Sequence, residues 1–309
     1  LGTMEIQAMR NEGYEDEFSC AVTAASATIG PVFPPSIPAV IYAMLSGASI
    51  GALFLGGAVP GVMLAAALMV YIYFISRKRK YPTGEKFTGK EFLLFTLKAI
   101  PALLAPVILL GGIYGGVMTP TEAGAVAAFY ALLISVFAYR VLGLKQLWGV
   151  FVDTVKSTGI IAIMVGAAGA FSFIVAKEQV PAAISSWMLG ITDNKYVFLL
   201  IVNILFLILG MVIDTSVLQL VFIPMVLPLV QAMGIDLVHF GVVLTLNMMI
   251  GLSTPPFGML LFITSGISDT PLKKVIKETM PMVLVMLVVL FLITYIPDIV
   301  LFLPRLIGM

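Results

Sequence analysis

The sequence predicts an all-α, polytopic membrane protein that contains an inverted repeat, and three observations support this fold class. The first is composition: of the 309 residues, 61% are hydrophobic and only 11% are charged, and the mean hydropathy is +1.12. A water-soluble domain of this length does not need so large an apolar fraction, whereas a helical protein that crosses the bilayer several times does. The other two observations are a repeated interruption of apolar segments and the distribution of positive charge.

Two long apolar segments are interrupted in the same way, by a glycine, three further residues and a pair of prolines. Proline lacks an amide donor and clashes with the preceding helical turn, so each interruption predicts two half-helices joined by irregular backbone. Matching residues keep one register, 221 positions apart: Gly13 with Gly234, Glu15 with Asp236, Gly30 with Gly251, and Pro34-Pro35 with Pro255-Pro256. Two interruptions in register indicate an internal repeat.

The same register indicates where the sequence starts within the first repeat. Leu1 corresponds to Phe222, so the residues before Phe222 have no counterparts in this sequence. We therefore expect an N-terminal portion before Leu1 that holds the rest of the first repeat, including its hairpin.

Apolar and polar segments divide the chain into five predicted parts. Residues 196–234 are predicted to form a re-entrant helical hairpin with Asp214-Thr215-Ser216 at its tip. The parts are residues 1–48, the remainder of the first repeat with the first broken helix; 49–176, connecting spans that are largely scaffold; 177–195, an outer loop with a short surface helix; 196–268, the second repeat with the hairpin and the second broken helix; and 269–309, a C-terminal span.

Positive charges test this layout independently. If Arg77–Lys80 lies in the cytoplasm and the segments alternate, all but three of the 17 Lys and Arg residues fall on the cytoplasmic side, including Lys86 in a polar link. This is the bias that the positive-inside rule requires. The three residues on the outer side are Lys177, Lys195 and Arg305. The alternation requires the hairpin to enter and leave on one face, and the two broken helices then cross in opposite directions, so the repeat is predicted to be inverted.

The interruptions also predict an ion site. Irregular backbone at membrane depth leaves carbonyl oxygens without partners, and it is tolerated only where it is buried in protein or lines a cavity. These carbonyls, together with the hydroxyls of Ser253 and Thr254, are hard oxygen ligands that suit a small cation. Interrupted segments in corresponding halves of a chain are typical of the midplane site of a secondary transporter. The alternative is that they are structural kinks only.

Polar residues beside the interruptions and the hairpin tip are candidate substrate ligands: Ser36, Asp214, Ser216 and Ser253. The N-terminus of a half-helix favours an anion, so a substrate carboxylate is the group that we expect them to bind. The alternative is local, with the hydroxyls bonded to helix backbone and Asp214 capping the returning half of the hairpin. Elsewhere, Thr119-Pro120-Thr121-Glu122 predicts a capping box at the start of a helix.

Residue counts argue against other classes. The single Cys20 excludes an internal disulfide and a cysteine-based metal cluster, and the single His239 excludes a multi-histidine metal site. We expect Cys20 to be a packing residue and His239 to lie at the membrane interface. The sequence predicts no enzyme, no transition metal, no organic cofactor and no nucleic-acid partner. A channel remains an alternative, as does another ion-coupled carboxylate or arsenite permease that needs no binding protein.

Three motifs together resemble one known family. They are the helix break Ala24-Ala25-Ser26-Ala27-Thr28-Ile29-Gly30-Pro31 with Pro34-Pro35-Ser36, the helix start at Thr119-Pro120-Thr121-Glu122-Ala123, and the break from Gly251 to Gly258. In this combination the chain is similar over its whole length to the large membrane subunit of tripartite ATP-independent periplasmic (TRAP) transporters. The resemblance implies an elevator-type symporter of the bacterial inner membrane that imports an organic acid with sodium. It also implies two partners, a small membrane subunit and a periplasmic substrate-binding protein.

The resemblance further implies two sodium sites. Backbone carbonyls of Gly30, Phe33 and Pro35 would contribute to one of them, the other half of which would come from the hairpin before Leu1. The second would be formed by Gly210, Gly251, Thr254 and Phe257, with the Thr254 hydroxyl as a further ligand. The family moves C4-dicarboxylates, sialic acid and other acids, and the likeness over the whole chain favours N-acetylneuraminate.

Overall fold

The computed structural model describes residues 2–82 and 88–308, and every regular element within these ranges is helical. Lys86, in the predicted polar link, lies outside the described residues. A π-helical segment, Ile134–Ala138, continues α6. In chain order the helices are α1 (Gly2–Asn11), α2 (Asp16–Ser26), α3 (Ile37–Ser46), α4 (Ile50–Arg79), α5 (Gly89–Tyr114), α6 (Pro120–Leu133), α7 (Leu144–Lys177), α8 (Val180–Ile191), α9 (Lys195–Gly210), α10 (Thr215–Ala232), α11 (Leu237–Leu252), α12 (Met259–Ser268), α13 (Leu272–Tyr295) and α14 (Pro297–Leu306).

Six helical segments among the described residues are long and apolar enough to cross a membrane. They are Ile50–Arg79, Gly89–Tyr114, Pro120–Ala138, Lys145–Lys177, Thr215–Ala232 and Leu272–Tyr295. The predicted all-α, polytopic class is therefore confirmed. The helix α14, which begins at Pro297 directly after the final span, was not predicted from the sequence.

Both predicted interruptions are present as breaks between half-helices. The first separates α2 from α3, and the second separates α11 from α12. In each break the peptide bond between the two prolines is cis. Helices α9 and α10 are the two arms of the expected hairpin, joined by residues 211–214, its tip. Of the predicted tip residues only Asp214 lies in this connection, because Thr215 and Ser216 begin α10. Whether this hairpin is re-entrant depends on the membrane, so that part of the interpretation stays a prediction.

Helix packing follows the 221-residue register. Helix α2 packs against α12 and α13, and its counterpart α11 packs against α3 and α4. In the same way α1 packs against α12, while α10, which contains the counterpart of α1, packs against α3. Each of these contacts thus has a partner contact with the repeats exchanged. This reciprocity is the packing that two copies related by a two-fold rotation produce.

The helices fall into two compact units. One comprises the described residues up to 82 and from 170 onward, so it contains α1–α4 and α8–α14, including both breaks. The other comprises the described residues from 88 to 169, in which α5 packs against α6. The predicted capping box begins α6: the Thr119 hydroxyl accepts from the Glu122 amide at 3.3 Å, and the Glu122 carboxylate accepts from the Thr119 amide at 2.8 Å. The functional division into repeats and scaffold stays a prediction.

Two single residues were also assigned places from the sequence. Cys20 is buried and packs with Ala24, Leu261 and Val275, which confirms its packing role. The side chain of His239 is only 2% exposed, and its expected position at the membrane interface stays a prediction. Its Nε2 atom lies 2.8 Å from the carbonyl oxygen of Ile293, so the ring is bonded to the backbone of α13. The sequence shows that His239 lies near the start of a helix, but it does not show that α13 covers the side chain.

The crossing of α11 with α3 and α4 depends on Gly241. A Cβ at this position would overlap the ring of Tyr42 and lie 2.9 Å from Cδ2 of Leu53. Tyr42 is fully buried, and its hydroxyl donates to the carbonyl of Leu237 at 2.8 Å. The ring therefore has no room to move away without losing that hydrogen bond.

We predict that Gly241→Ala destabilises the protein by about 1–3 kcal/mol, the usual cost of overpacking a well-packed interior. Thermal unfolding of the purified protein in detergent measures this as a lower midpoint. The matched control is Gly266→Ala on α12, where an added Cβ meets no atom within 4 Å and alanine has the higher helix propensity. Equal midpoints for the two variants would show that this crossing is looser than the structure indicates.

Candidate functional site

The tip of the α9–α10 hairpin lies directly against the second break. A Cβ added to Gly251 would lie 2.8 Å from the carbonyl carbon of Gly210 and 3.1 Å from its oxygen. The Gly258 amide donates to the carbonyl of Met211 at 3.1 Å. Gly258 has a φ of +52°, and a Cβ there would lie 2.9 Å from the carbonyl oxygen of Thr254. Backbone therefore meets backbone at both ends of the break, and no side chain separates them.

The polar side chains of the second break are buried within it. Ser253 is completely buried and Thr254 is 6% exposed. The Ser253 hydroxyl donates to the carbonyl of Ile250 at 3.0 Å, and the Thr254 hydroxyl donates to the same carbonyl at 2.6 Å. A donating hydroxyl keeps its oxygen lone pairs, so both remain able to accept or to coordinate.

Carbonyl oxygens of the second break and the hairpin lack partners. Those of Gly210, Thr254 and Phe257 accept no hydrogen bond from any residue that the structure describes, whereas that of Gly251 accepts from the Thr254 amide at 2.9 Å. Each free carbonyl would be costly facing lipid. The sequence-predicted residues Gly210, Gly251 and Thr254 thus meet at one place, and Phe257 directly precedes the Gly258 contact.

The hairpin tip is organised by a cap. Asp214 precedes α10, and its Oδ1 atom accepts from the Ser216 amide at 2.8 Å. The local interpretation of Asp214 as a cap is therefore observed. A contact of Asp214 or Ser216 with substrate stays a prediction.

The first break shows the same shortage of partners. The carbonyl oxygens of Gly30, Phe33 and Pro35 accept no hydrogen bond within the described ranges. Ser36, which is buried, caps α3: its hydroxyl oxygen accepts from the Ala39 amide at 3.1 Å, and the hydroxyl donates to the carbonyl of Pro31. A substrate contact of Ser36 stays a prediction, as does a cation at this break.

A glycine face of α4 supports the first break. A Cβ on Gly57 would overlap the carbonyl oxygen of Val32, and one on Gly61 would lie 3.0 Å from Cβ of Phe33. The two glycines are four residues apart, so they occupy one side of α4. The first break thus approaches the backbone of a long helix, whereas the second is covered by a hairpin tip.

Buried polar residues near the second break were missed by the sequence analysis. Asn203 on α9, Asn247 on α11 and Thr294 on α13 form a chain of hydrogen bonds. On α10, Gln219 is completely buried and neither atom of its amide group has a hydrogen-bond partner. An amide side chain inside a largely apolar helix is costly to bury, and that signal was available in the sequence.

The chemistry of these groups suits an alkali cation. The ligands on offer are neutral carbonyl and hydroxyl oxygens, and unwound backbone carbonyls are the groups that hold Na⁺ in transporters with broken helices. Among the described residues, no three His, Cys, Asp or Glu side chains are grouped closely enough to hold a metal ion. A transition-metal site would need such nitrogen, sulfur or carboxylate ligands.

Comparison with known proteins agrees with this geometry. Residues 1–299 match the family described as "Tripartite ATP-independent periplasmic transporter, DctM component". The chain is 44% identical to the sialic acid TRAP transporter large permease protein SiaM of Vibrio cholerae, over 99% of this chain and 72% of that protein. It is 39% identical to the sialic acid TRAP transporter permease protein SiaT of Haemophilus influenzae, over 99% of this chain and 50% of that protein.

A relative named for another substrate matches at a similar level. The C4-dicarboxylate TRAP transporter large permease protein DctM of Pseudomonas aeruginosa is 38% identical, over 100% of this chain and 72% of that protein. The matched proteins are permeases rather than enzymes. The six candidate spans and these relatives agree with a multi-pass protein of the bacterial inner membrane. The family match and the relatives together show that the chain belongs to the DctM component family of TRAP transporters.

Proposed function

We propose that this chain is the permease of a sodium-coupled symporter that imports an organic acid. The observation that carries the proposal is the second break, where backbone of the hairpin tip meets backbone of the broken helix and leaves carbonyl oxygens free. A cation that loses its hydration shell needs replacement oxygens, and this arrangement supplies them without any charged side chain. The first break, with its own unpaired carbonyls, supports a second cation.

Each sodium ion would be held mainly by backbone. At the second break the ligands would be the carbonyls of Gly210, Gly251, Thr254 and Phe257. The Thr254 hydroxyl donates its proton to Ile250, so its oxygen lone pairs remain available for a cation. At the first break they would include the carbonyls of Gly30, Phe33 and Pro35. Neutral ligands leave the bound ion with its full positive charge, which then favours an anionic substrate nearby.

A substrate carboxylate would bind at the starts of the half-helices. The N-terminus of a helix carries unpaired amide donors and a positive partial charge. Helix α3 begins after Ser36 and α10 begins after Asp214, so both serve as candidate positions. Ser216 and Ser253 offer further hydroxyl groups. Sodium and carboxylate would then stabilise each other's binding, which is the coupling that symport needs.

Identity of the organic acid rests on similarity. Relatives whose names specify sialic acid match at 44% and 39% identity, so N-acetylneuraminate is the first substrate to test and a C4-dicarboxylate is the second. The same family membership supports two partners, a small membrane subunit and a periplasmic substrate-binding protein. An elevator movement of the unit that contains both breaks is the transport mechanism that the family resemblance implies.

Sodium dependence tests the coupling. Uptake of N-acetylneuraminate into proteoliposomes that contain both membrane subunits and the binding protein should require an inward sodium gradient. It should fall to background when choline replaces sodium at constant pH, because the ligand sets contain no acid or histidine relay for protons. Equal uptake in choline would overturn sodium coupling.

An uptake assay with and without a periplasmic binding protein tests whether this permease needs that partner. We predict that the membrane subunits alone transport little at micromolar substrate, and that adding the cognate binding protein restores uptake. A panel of binding proteins loaded with sialic acid or with a C4-dicarboxylate identifies the substrate in the same assay. Robust uptake by the membrane subunits alone would instead favour a carboxylate permease that works without a binding protein.

Thr254 tests the ligand set of the second break. Thr254→Val keeps the side-chain shape and removes the hydroxyl, at a cost on the order of 1 kcal/mol if that oxygen binds the ion. The half-saturating sodium concentration should then rise about fivefold, while Thr254→Ser should keep most function. The control is Thr279→Val, a buried threonine on α13 whose hydroxyl also donates to the carbonyl four residues earlier. An unchanged sodium dependence in Thr254→Val would restrict the site to backbone carbonyls.

A further inference from the structure

A pair of buried asparagines links the hairpin to the second broken helix. The Nδ2 atom of Asn247 on α11 donates to both the backbone oxygen and Oδ1 of Asn203 on α9, each at 2.8 Å. Nδ2 of Asn203 in turn donates to the hydroxyl oxygen of Thr294 on α13 at 3.0 Å. All three side chains are at most 4% exposed. One short polar chain therefore joins α9, α11 and α13.

Orientation of the Asn247 amide follows from its partners. Rotation by 180° would place Oδ1 against two oxygens of Asn203 and remove both hydrogen bonds. The observed orientation leaves Oδ1 of Asn247 buried without a partner. An unpaired buried acceptor is costly, so two apolar side chains of similar size would pack here at less expense. What the amide pair adds is a defined register between α9 and α11, the kind of specificity that a buried polar pair provides in other helix interfaces.

This register determines where the hairpin tip lies. Asn203 and Gly210 are seven residues apart on α9, about two helical turns, so they lie on the same side of the helix. Asn247 and Gly251 are four residues apart on α11, about one turn, and also share a side. The α9–α11 interface thus contains both the amide pair and the close backbone contact of Gly210 with Gly251.

The first repeat has no amide at the position that corresponds to Asn247, although the two repeats are related. At the 221-residue offset Asn247 corresponds to Ser26, whose hydroxyl donates within its own helix to the carbonyl of Thr23 at 3.2 Å. The amide pair is therefore specific to the second repeat.

We infer that Asn203 and Asn247 are positioning residues that hold the hairpin tip on the second break and thereby set the sodium affinity of that site. This inference rests on the proposed sodium-coupled function. Neither side chain touches the ion; the pair acts through the carbonyl of Gly210, which it holds beside Gly251. Loosening the pair lets α9 shift or rotate on α11, and the oxygen ligands from the hairpin then no longer match those from the break.

Asn203→Leu and Asn247→Leu test this role in the complete transporter. Each variant should raise the half-saturating sodium concentration for uptake roughly three- to tenfold, the range that interhelical hydrogen bonds in membranes support. The substrate KM at saturating sodium should stay within about twofold, because excess ion refills the site. The double variant should show much less than the product of the two single effects, since the pair acts as a unit. Thr294→Val, which leaves the amide pair intact, should shift sodium dependence less.

A matched control and a sodium-independent readout complete the test. Ser268→Ala removes another buried contact between helices, 2.9 Å from Sγ of Cys20 to the Ser268 hydroxyl, and should leave sodium dependence unchanged. Amide hydrogen exchange in the purified transporter should accelerate at the hairpin tip, residues 211–214, in Asn247→Leu but not in Ser268→Ala.

Failure of this inference is distinguishable from failure of the proposed function. Unchanged half-saturating sodium and unchanged tip exchange in both asparagine variants would overturn the positioning role while wild-type sodium dependence stands. An equal shift in Ser268→Ala would also overturn it, because the effect would then report general destabilisation. Wild-type uptake that ignores sodium would instead remove the function on which the inference rests. If a leucine variant does not yield monodisperse protein, Asn247→Ala decides, because it removes both hydrogen bonds to Asn203 without adding a larger apolar side chain: no shift in sodium dependence and no faster tip exchange would count against the role.

Discussion

The close contact between the backbones of Gly210 and Gly251 is the interaction on which the arrangement of groups at the second break depends. A helix broken at membrane depth exposes carbonyl oxygens that water cannot satisfy. The hairpin tip covers them, and it comes close enough only because neither residue has a side chain; a Cβ on Gly251 would lie 2.8 Å from the carbonyl carbon of Gly210. The same closeness brings unpaired carbonyls of the hairpin and the break together, and these are the oxygens that the proposed sodium site would use.

Two related breaks are supported in different ways. The helices around them exchange contacts in register, α2 with α12 and α11 with α3, so the repeat organises the packing. The covering elements differ: Gly57 and Gly61 of α4 lie under the first break, while the second has the hairpin tip, Asp214 as a cap, and the Asn203–Asn247 pair. The same kind of helix break thus has different neighbouring elements in each repeat.

Several features could be predicted because they depend on local backbone chemistry. Proline pairs end helices wherever they occur, so both breaks were predicted from Pro34-Pro35 and Pro255-Pro256, and the capping box at Thr119 follows from spacing alone. His239 shows the limit. Its place in the sequence, near the predicted outer loop, does not show that its side chain is buried or that its Nε2 atom lies 2.8 Å from the Ile293 carbonyl oxygen of α13. The residues around His239 in the sequence do not indicate that α13 packs over it.

The sequence by itself determined the membrane class, the two breaks, their register and the residue types available as ligands, because composition, proline chemistry and periodicity act within a few neighbouring residues. The tertiary structure decided which of these groups meet. Gly210 lies opposite Gly251, and Asn203 pairs with Asn247, across more than 40 positions of chain. Such pairings arise from the way helices pack. An isolated glycine or asparagine in an apolar helix does not indicate which residue of another helix it will contact. The physical reason is that packing depends on shape across an interface, which a single segment cannot specify.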